Sequence, residues 1–448
     1  MSDSTQGRLL FVTLGCAKNE VDTDRMRALL LGAGFSEADV PEDADVAIVN
    51  TCSFLASATE ESVEATLELA EESADGVRAC PIVMCGCVPS RYGDDLPSEL
   101  PEVAAFVRAE DEDGIVGVVA DVLGLSLDAA VPAEGATLRT VEGASAFVKI
   151  SDGCDRFCAF CAIPYIRGRY QSRPAADILA EVRTLMEGGV REIVLIGQDT
   201  GIWGSDLGDG QTLATLLRQV AEAVRPWAGW VRVLYLQPEG MTDELIACIR
   251  DVPEVLPYID IPIQHCSARV LKSMRRSGSV EELRELFARL RSEIPGMVLR
   301  TTGMAGFPGE TDEEADELCD FMREQEFDYC SVFTYSQEEG TLAATMEGQV
   351  PEDVKLERTQ RLRDIADEMG FAATAAHVGE RVEVIVDGVE DGPDGPELIG
   401  HAWFQAPDCD GAVHIAAGEA TVGERVLVEL TDAFCYELEG ELVSGEAI

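Results

Sequence analysis

Short apolar runs alternate with amphipathic segments through the first 125 residues of the chain. The runs are rich in Val, Ile and Leu and indicate strands, whereas the segments between them space their apolar residues as helices do. Strands that alternate with helices pair in parallel, so the pattern predicts a doubly wound α/β domain over residues 1–128. The predicted strands are 9–14, 45–50, 81–85 and 103–107, and the first two predicted helices are 19–31 and 55–72.

Residues 129–145 show no clear period and are expected to be a linker, after which the same alternation resumes. Six βα units in about 200 residues are too few for a closed eight-fold barrel, which needs about 250 residues. The pattern therefore predicts an open, partial (βα)6 barrel over residues 146–376 that ends in a long helix, 352–376. The six predicted strands are 146–151, 192–197, 231–236, 258–263, 297–302 and 329–335.

The remaining residues, 377–448, change character. Five short alternating strands are divided there by Gly, Pro and Asp, which is typical of a small antiparallel barrel of the oligonucleotide-binding type. The five predicted strands are 380–388, 397–405, 411–416, 424–430 and 434–442.

The chain is strongly acidic, with 84 Asp and Glu against 34 Lys and Arg and a net charge of −50. Such a chain should avoid bare phosphate backbones, so we expect no direct RNA binding by the acidic C-terminal barrel. Disorder is one reading of this acidity, but 46% hydrophobic residues argue against it. A cytosol of very high salt, where charges are screened within a few ångströms, is the alternative we favour.

No apolar run is long enough to cross a membrane, and the N-terminus has neither the basic nor the apolar region of a secretion signal. We therefore expect a cytoplasmic protein. In that compartment the 14 cysteines are expected to be metal ligands or buried small side chains rather than disulfides.

Three cysteines, Cys154, Cys158 and Cys161, form a C-x3-C-x2-C run just after the first predicted barrel strand. Three thiolates on one loop can hold three irons of a four-iron cluster and leave the fourth iron without a protein ligand. A zinc site is the alternative, but it would need a fourth Cys or His nearby. Buried structural cysteines are a poor alternative, because Gly153, Asp155 and Arg156 make this a polar turn.

A second set of three, Cys16, Cys52 and Cys87, lies just past the ends of three strands of the N-terminal domain. Loops that follow parallel strands gather at one edge of the sheet, where such folds bind ligands. We therefore expect a second three-thiolate cluster site, against the alternative of cysteines that are simply buried. Cys85 could replace Cys87, although alternation along the strand turns Cys85 to the other face.

The C-x3-C-x2-C loop after the first strand of a six-fold barrel resembles the radical S-adenosylmethionine superfamily. The resemblance implies that the open iron binds S-adenosylmethionine and that an electron cleaves it to a 5′-deoxyadenosyl radical. Phe160, inside the motif, also fits that superfamily and is implied to contact the cofactor.

Both cysteine sets together resemble the methylthiotransferases, which join a cluster domain, a radical S-adenosylmethionine barrel and a TRAM barrel. The Gln198-Asp199-Thr200 triplet resembles the branch that modifies ribosomal protein rather than the branch that modifies tRNA. Ala17, where Pro is usual, is a departure that touches no ligand, as is the pair Gly303-Met304. The segments that carry the resemblance are TLGCAKNEVDTD, IVLIGQDT, MTDELI, YIDIPIQHCSARVLKSMRR, RTTGMAGFPGET and FTYSQEEGT.

This resemblance implies two 4Fe-4S clusters, S-adenosylmethionine, and a methylthio group added to the β-carbon of an aspartate in a small-subunit ribosomal protein. It also implies an electron donor protein. The alternatives are the same chemistry on a tRNA adenosine and a non-catalytic iron–sulfur sensor or electron carrier.

Three further features of the barrel domain carry expectations of their own. Gly306 and Gly309 lie in a Gly-rich turn after a strand, where the backbone could approach a nucleoside-like ligand. His265 is expected to be structural, as a lone histidine usually is. Arg167 and Arg169 could balance the charge of a cluster or substrate, or could equally be surface residues.

Overall fold

The computed structural model describes residues 6–74, 80–126, 139–140, 143–392, 395–416 and 418–443. The linker predicted at 129–145 lies mostly outside these residues. The chain divides into two compact units. The first unit holds residues 1–140, 152–157 and 161–181, and the second holds residues 141–151, 158–160 and 182–448.

A five-stranded parallel sheet forms the first unit, with the strand order β2-β1-β3-β4-β5. Helices pack on both faces, as predicted for a doubly wound domain. The strands are β1 (Arg8–Thr13), β2 (Ser36–Glu37), β3 (Val46–Thr51), β4 (Ile82–Gly86) and β5 (Val103–Arg108). The helices are α1 (Ala17–Gly32), α2 (Ala56–Ala74), α3 (Cys87–Tyr92), α4 (Leu96–Glu99) and α5 (Ile115–Leu123).

The two central strands explain why this sheet is parallel and covered on both faces. Every residue of β3 and β4 is buried, which is the pattern of a strand with helices on both sides. One face packs against α1 and α5 and the other against α2, in two separate apolar clusters. The edge strand β2 was not predicted, because two residues are too few to show a period.

The first barrel strand is β6 (Ser145–Lys149), and four elements follow it along the chain before the next barrel strand. They are β7 (Ser151–Asp152), α6 (Ile163–Ile166), β8 (Gln171–Ser172) and α7 (Ala175–Gly188).

The second unit contains a six-stranded sheet with the order β13-β12-β11-β10-β9-β6, in which every neighbouring pair is parallel. This confirms the six predicted parallel strands, with β13 and β6 at the two edges. The further strands are β9 (Glu192–Ile196), β10 (Trp230–Val233), β11 (Val255–Gln264), β12 (Val298–Ala305) and β13 (Tyr329–Thr334). The helices are α8 (Leu213–Val224), α9 (Asp243–Asp251), α10 (Ala268–Ser273), α11 (Val280–Glu293), α12 (Asp312–Gln325) and α13 (Glu352–Ala376).

A closed barrel follows α13, with the strand order β14-β15-β16-β18-β17. The prediction of an antiparallel barrel is wrong for one pair, since β16 and β18 run parallel. A closed ring of five strands cannot alternate direction throughout, because alternation needs an even number. The strands are β14 (Arg381–Gly392), β15 (Gly395–Ala402), β16 (Val413–Ala416), β17 (Arg425–Phe434) and β18 (Glu437–Leu442).

Buried ion pairs join this barrel to the amino ends of the sheet strands within the second unit. Glu192, the first residue of β9, accepts hydrogen bonds from Arg232 at 2.6 Å and from His401 of β15 at 2.9 Å. Asp410 bonds the Tyr258 hydroxyl and the Arg300 guanidinium. The barrel thereby covers the end of the sheet opposite to the loops that follow the strands.

Among the described residues, no helix combines the length and the apolar character needed to cross a membrane.

Candidate active site

Cys16, Cys52 and Cys87 each follow a strand of the first unit at its carboxyl end. Cys16 precedes α1 after β1, Cys52 comes directly after β3, and Cys87 is the first residue of α3 after β4. The strand order reverses between β1 and β3, and such a switch point is where open α/β sheets bind their ligands. The structure therefore brings the three cysteines to one edge of the sheet.

Gly15 is the residue that lets the first two cysteine loops approach each other. Its φ is +107°, and a Cβ added there would come within 2.7 Å of the Cβ and 3.2 Å of the Sγ of Cys52. Only glycine accepts both this backbone conformation and this contact.

A ladder of buried amides and hydroxyls fixes the same loops. Asn19 Nδ2 donates to the carbonyl oxygen of Thr51 at 2.8 Å, and Asn50 Nδ2 donates to the carbonyl oxygen of Asn19 at 2.9 Å. The Thr51 hydroxyl donates to the Cys85 carbonyl at 2.6 Å and accepts from the Val88 N–H. These bonds fasten the start of α1, the end of β3 and the start of α3 to one another.

The three thiols differ in exposure. Cys16 is exposed at the N-terminus of α1, whereas Cys52 and Cys87 are buried, at 9% and 4% exposed. Burial raises the pKa of Cys52, and it raises the pKa of Cys87 to about 11 against the opposing effect of the nearby Arg167 charge. A metal that binds these thiols must therefore displace their protons.

Cys85, the ambiguous neighbour of Cys87, lies in the apolar core of the sheet with Leu9, Val46 and Val83. It is fully buried on the opposite face of β4, as alternation predicted. The structure thus separates Cys85 from the loop cysteines.

Arg167 lies near these cysteines. The sequence did not decide whether it is a surface residue or balances the charge of a bound group. Its Nη1 donates to Asp22 Oδ2 at 2.6 Å and its Nη2 donates to Asn19 Oδ1 at 3.3 Å. The Arg167 and Asp22 side chains are each 2% exposed, which excludes the surface reading for Arg167. Arg169, in contrast, is 71% exposed and pairs with Asp155.

Asp22 and Asn19 were missed as parts of this site. They lie on α1, whose buried residues include an unusual share of polar ones. The sequence feature that could have identified them is the run KNEVDTD at 18–24, shortly after Cys16, where a helix on a sheet would normally bury apolar side chains.

Backbone hydrogen bonds hold the loop that carries Cys154, Cys158 and Cys161, some of them in the first unit and some in the second. In the first unit, the Cys154 N–H donates to the Gly168 carbonyl at 3.2 Å. In the second unit, the Ala159 N–H donates to the Met274 carbonyl at 2.9 Å, and the Ala343 N–H donates to the Ala159 carbonyl at 2.7 Å. All three cysteines have intermediate exposure.

In the part of the chain that the structure describes, no three His, Cys, Asp or Glu side chains stand close enough to hold one metal ion. A four-iron cluster makes a different demand, because each thiolate binds an iron of its own. At Cys16, Cys52 and Cys87 the donor set fits such a group: three thiols at a sheet edge, a cation beside them and a glycine that lets the loops approach.

Phe160 packs against an apolar cluster of the second unit that includes Phe307, Met274 and Tyr335. Gly306 has a φ of +82°, and a Cβ there would lie 2.3 Å from Cγ of Lys355, so its freedom serves packing against α13. The N–H of Gly306 donates to the Glu310 carboxylate, and that of Gly309 donates to the Gly348 carbonyl. A cofactor role for these three residues stays a prediction.

His265 is fully buried, as a structural histidine should be. Its Nδ1 accepts from the N–H groups of Cys266 and Ser267, both at 3.0 Å. That leaves the proton on Nε2, which faces Glu310 Oε1 at 3.3 Å. Both ring nitrogens are therefore used within the protein.

Three family models match the chain in succession. Residues 8–108 match the Uncharacterized protein family UPF0004, residues 148–322 match the Radical SAM superfamily, and residues 378–443 match the TRAM domain.

Solved structures share the fold. The methyltransferase TsrM from Kitasatospora setae, a radical S-adenosylmethionine enzyme, matches with a TM-score of 0.56 and 15% identity, over 73% of this chain and 74% of that one. The cobalamin-dependent radical enzyme OxsB matches with a TM-score of 0.52 and 12% identity, over 81% of this chain and 56% of that one. Together with the Radical SAM family model over residues 148–322, this fold places the chain among the radical S-adenosylmethionine enzymes.

Sequence relatives narrow this class. The ribosomal protein uS12 methylthiotransferase RimO of Pelobacter propionicus is 41% identical over 99% of each chain. The proteins of the same name from Trichlorobacter lovleyi and Geobacter sulfurreducens are 40% and 41% identical, over 99% and 98% of this chain and 100% and 99% of their own. This chain belongs to the RimO family of methylthiotransferases.

Proposed function

We propose that this chain transfers a methylthio group to the β-carbon of an aspartate in ribosomal protein uS12. The observation that carries the proposal is about 40% identity, over 97% or more of the chain, to proteins named for this reaction. Such a substrate is cytoplasmic, so we also propose that the protein works there.

We propose two 4Fe-4S clusters, one held by Cys154, Cys158 and Cys161 and one by Cys16, Cys52 and Cys87. The first set has the spacing of a loop that leaves one iron open, and the second meets at a sheet edge suited to ligands. When bound, the first cluster and S-adenosylmethionine supply radical chemistry, which an unactivated C–H bond requires because it offers nothing to an acid or base.

The chain's own part is to hold these groups and exclude water. Burial of Cys52 and Cys87 shields the second site, and the hydrogen-bond ladder of Asn19, Asn50 and Thr51 keeps its three loops in place. Phe160, Gly306 and Gly309 are proposed to lie beside S-adenosylmethionine.

Iron analysis tests the two clusters. Full-length protein reconstituted without oxygen should bind about eight irons. Replacing Cys154, Cys158 and Cys161 by Ala should remove half of them, and replacing Cys16, Cys52 and Cys87 should remove the other half. Cys85→Ala is the matched control for Cys87 and should keep all the iron. Full iron binding without Cys16, Cys52 and Cys87 would contradict the second cluster.

Cleavage of S-adenosylmethionine tests the enzyme and its substrate. With a chemical reductant, the reconstituted protein should release 5′-deoxyadenosine, and more of it with a uS12 peptide that contains the target aspartate. An Asp→Ala peptide is the control. Stimulation by tRNA and not by the peptide would assign the chain to adenosine modification, and no release with several reductants would exclude an enzyme.

One protein partner follows from the chemistry of the first cluster. The first cluster needs an electron, so we propose a small electron donor protein, which should replace the chemical reductant in the same assay.

We propose no direct RNA contact by the C-terminal barrel, since residues 380–448 carry 17 acidic residues and two arginines. Tight binding of naked RNA at moderate salt would contradict this.

A further inference from the structure

A buried arginine, Arg167, lies beside the second cysteine set. Arg167 follows α6, and Ala162 and Ile166 of that segment form one buried cluster with Cys87. Burial raises the pKa of the Cys87 thiol, and the positive charge of the guanidinium opposes that rise. The arginine therefore acts on a proposed iron ligand.

The guanidinium donates to polar side chains of the same unit. Nη1 donates to the buried Asp22 carboxylate at 2.6 Å and to Asp152 at 3.4 Å, and Nη2 donates to Asn19 at 3.3 Å. Asn19 Oδ1 in turn lies 3.6 Å from Cys16 Sγ. The arginine is thus aligned by groups that themselves contact the cysteine loops.

Charge explains why an arginine stands there. Three thiolates around a four-iron core give a net negative group, and one added electron makes it more negative. A cation that is 2% exposed is poorly screened by water, so it favours the more negative, reduced form. Asp22 offsets part of this effect, because its carboxylate faces the same guanidinium at 2.6 Å.

We infer that Arg167 is a positioning residue of the second cluster: it fixes Asn19 beside the Cys16 loop, and its charge makes the cluster easier to reduce. The inference rests on the proposed cluster at Cys16, Cys52 and Cys87. It assigns a role to the ion pair of Arg167 and Asp22: Arg167 raises the reduction potential of the second cluster, and Asp22 lowers it.

The test is a reductive titration followed by electron paramagnetic resonance. The protein is the full-length chain with Cys154, Cys158 and Cys161 replaced by Ala, so that only the second cluster is read. Dithionite supplies one electron per cluster through mediators, and no bond is made or broken.

Two substitutions should shift the midpoint reduction potential of the second cluster in opposite directions. Arg167→Gln should lower the potential, because a cation is lost, and Asp22→Asn should raise it, because an anion is lost. Arg167→Lys keeps the charge without the planar fork and should shift the potential less than Arg167→Gln does. Arg169→Gln is the matched control, since Arg169 is 71% exposed, and should leave the potential unchanged.

The possible failures are distinct. If the Cys154, Cys158 and Cys161 background binds no iron, the proposed second cluster fails. If it binds a cluster whose potential is the same in the Arg167→Gln and Asp22→Asn variants, the cluster stands and the inference fails. If Arg167→Gln does not fold, the Arg167→Lys and Asp22→Asn variants are compared instead. A reduction potential of Asp22→Asn at or below that of Arg167→Lys would then overturn the inference.

Discussion

At the residue scale, the contact between Gly15 and Cys52 joins the fold to the proposed cluster. The φ of +107° and the 2.7 Å approach to the Cys52 Cβ leave no room for a side chain. A strained residue of this kind costs about 1–3 kcal/mol. The loop cannot relax without moving a proposed ligand.

We therefore expect Gly15→Ala to lower the free energy of unfolding by about 1–3 kcal/mol and to reduce the iron bound. Gly117→Ala is the matched control, because Gly117 lies inside α5 with no atom within 4 Å of an added Cβ. It should be neutral or stabilising by up to about 1 kcal/mol. Urea unfolding and iron analysis measure both. Equal stability and iron in the two variants would contradict the account of Gly15.

The sequence predicted the six candidate cysteine ligands and left open whether Arg167 balances their charge, but it did not predict Asp22 or Asn19 beside them. Cysteine spacing and position after strands are visible in one dimension, because loops after parallel strands must share an edge. The contact of Arg167 with Asp22 joins residues 145 positions apart, and no local pattern marks such a pair. Only the folded chain shows that Arg167 is buried.

At the element scale, prediction worked where a strand is long enough to show a period. The strands of both parallel sheets were predicted, apart from short ones such as β2. The parallel pairing of β16 with β18 was missed because strand direction depends on closure of the whole barrel and not on the sequence of either strand.

The junction of β9 with β15 is held by a charge network that depends on pH. His401 bonds Asp387 through Nδ1 at 2.6 Å and Glu192 through Nε2 at 2.9 Å. These carboxylates raise the pKa of His401 to about 9 against the cost of burial. Glu192 is held by Arg232 and His401, which lower its pKa to about 2 although burial opposes them.

These pKa shifts determine the direction in which the stability of the fold changes with pH. The raised pKa of His401 contributes stability that is complete below about pH 6.5 and is lost as the pH rises through about 9. The lowered pKa of Glu192 contributes above about pH 4.5 and is lost as the pH falls through about 2.

We expect the free energy of unfolding to fall between about pH 6.5 and 9, by at most about 3 kcal/mol from this histidine. His401→Gln should flatten that fall. His414→Gln, a half-buried histidine of the same barrel, is the control for loss of an imidazole. Urea unfolding across the pH range measures the slopes, and an unchanged slope in His401→Gln would contradict the network's role.

At the scale of the whole molecule, the net charge of −50 must be tolerated by the folded state. Repulsion among carboxylates opposes a compact chain, and salt screens it over about 10 Å at 0.1 M and about 3 Å at 1 M.

The free energy of unfolding in urea should therefore rise between about 0.1 M and 1 M KCl. The same experiment with sucrose at equal osmolality is the control for general exclusion effects. A fall in stability with KCl would contradict the view that the acidity is an adaptation to salt.

The central claim concerns the substrate, and the mass of ribosomal protein uS12 tests it most directly. The protein should be isolated from cells with and without this gene and measured intact and as peptides. We predict a methylthio group on one aspartate of uS12 that disappears with the gene. An unmodified uS12 in both strains, with loss of a methylthiolated adenosine from tRNA in the deletion strain, would contradict the account.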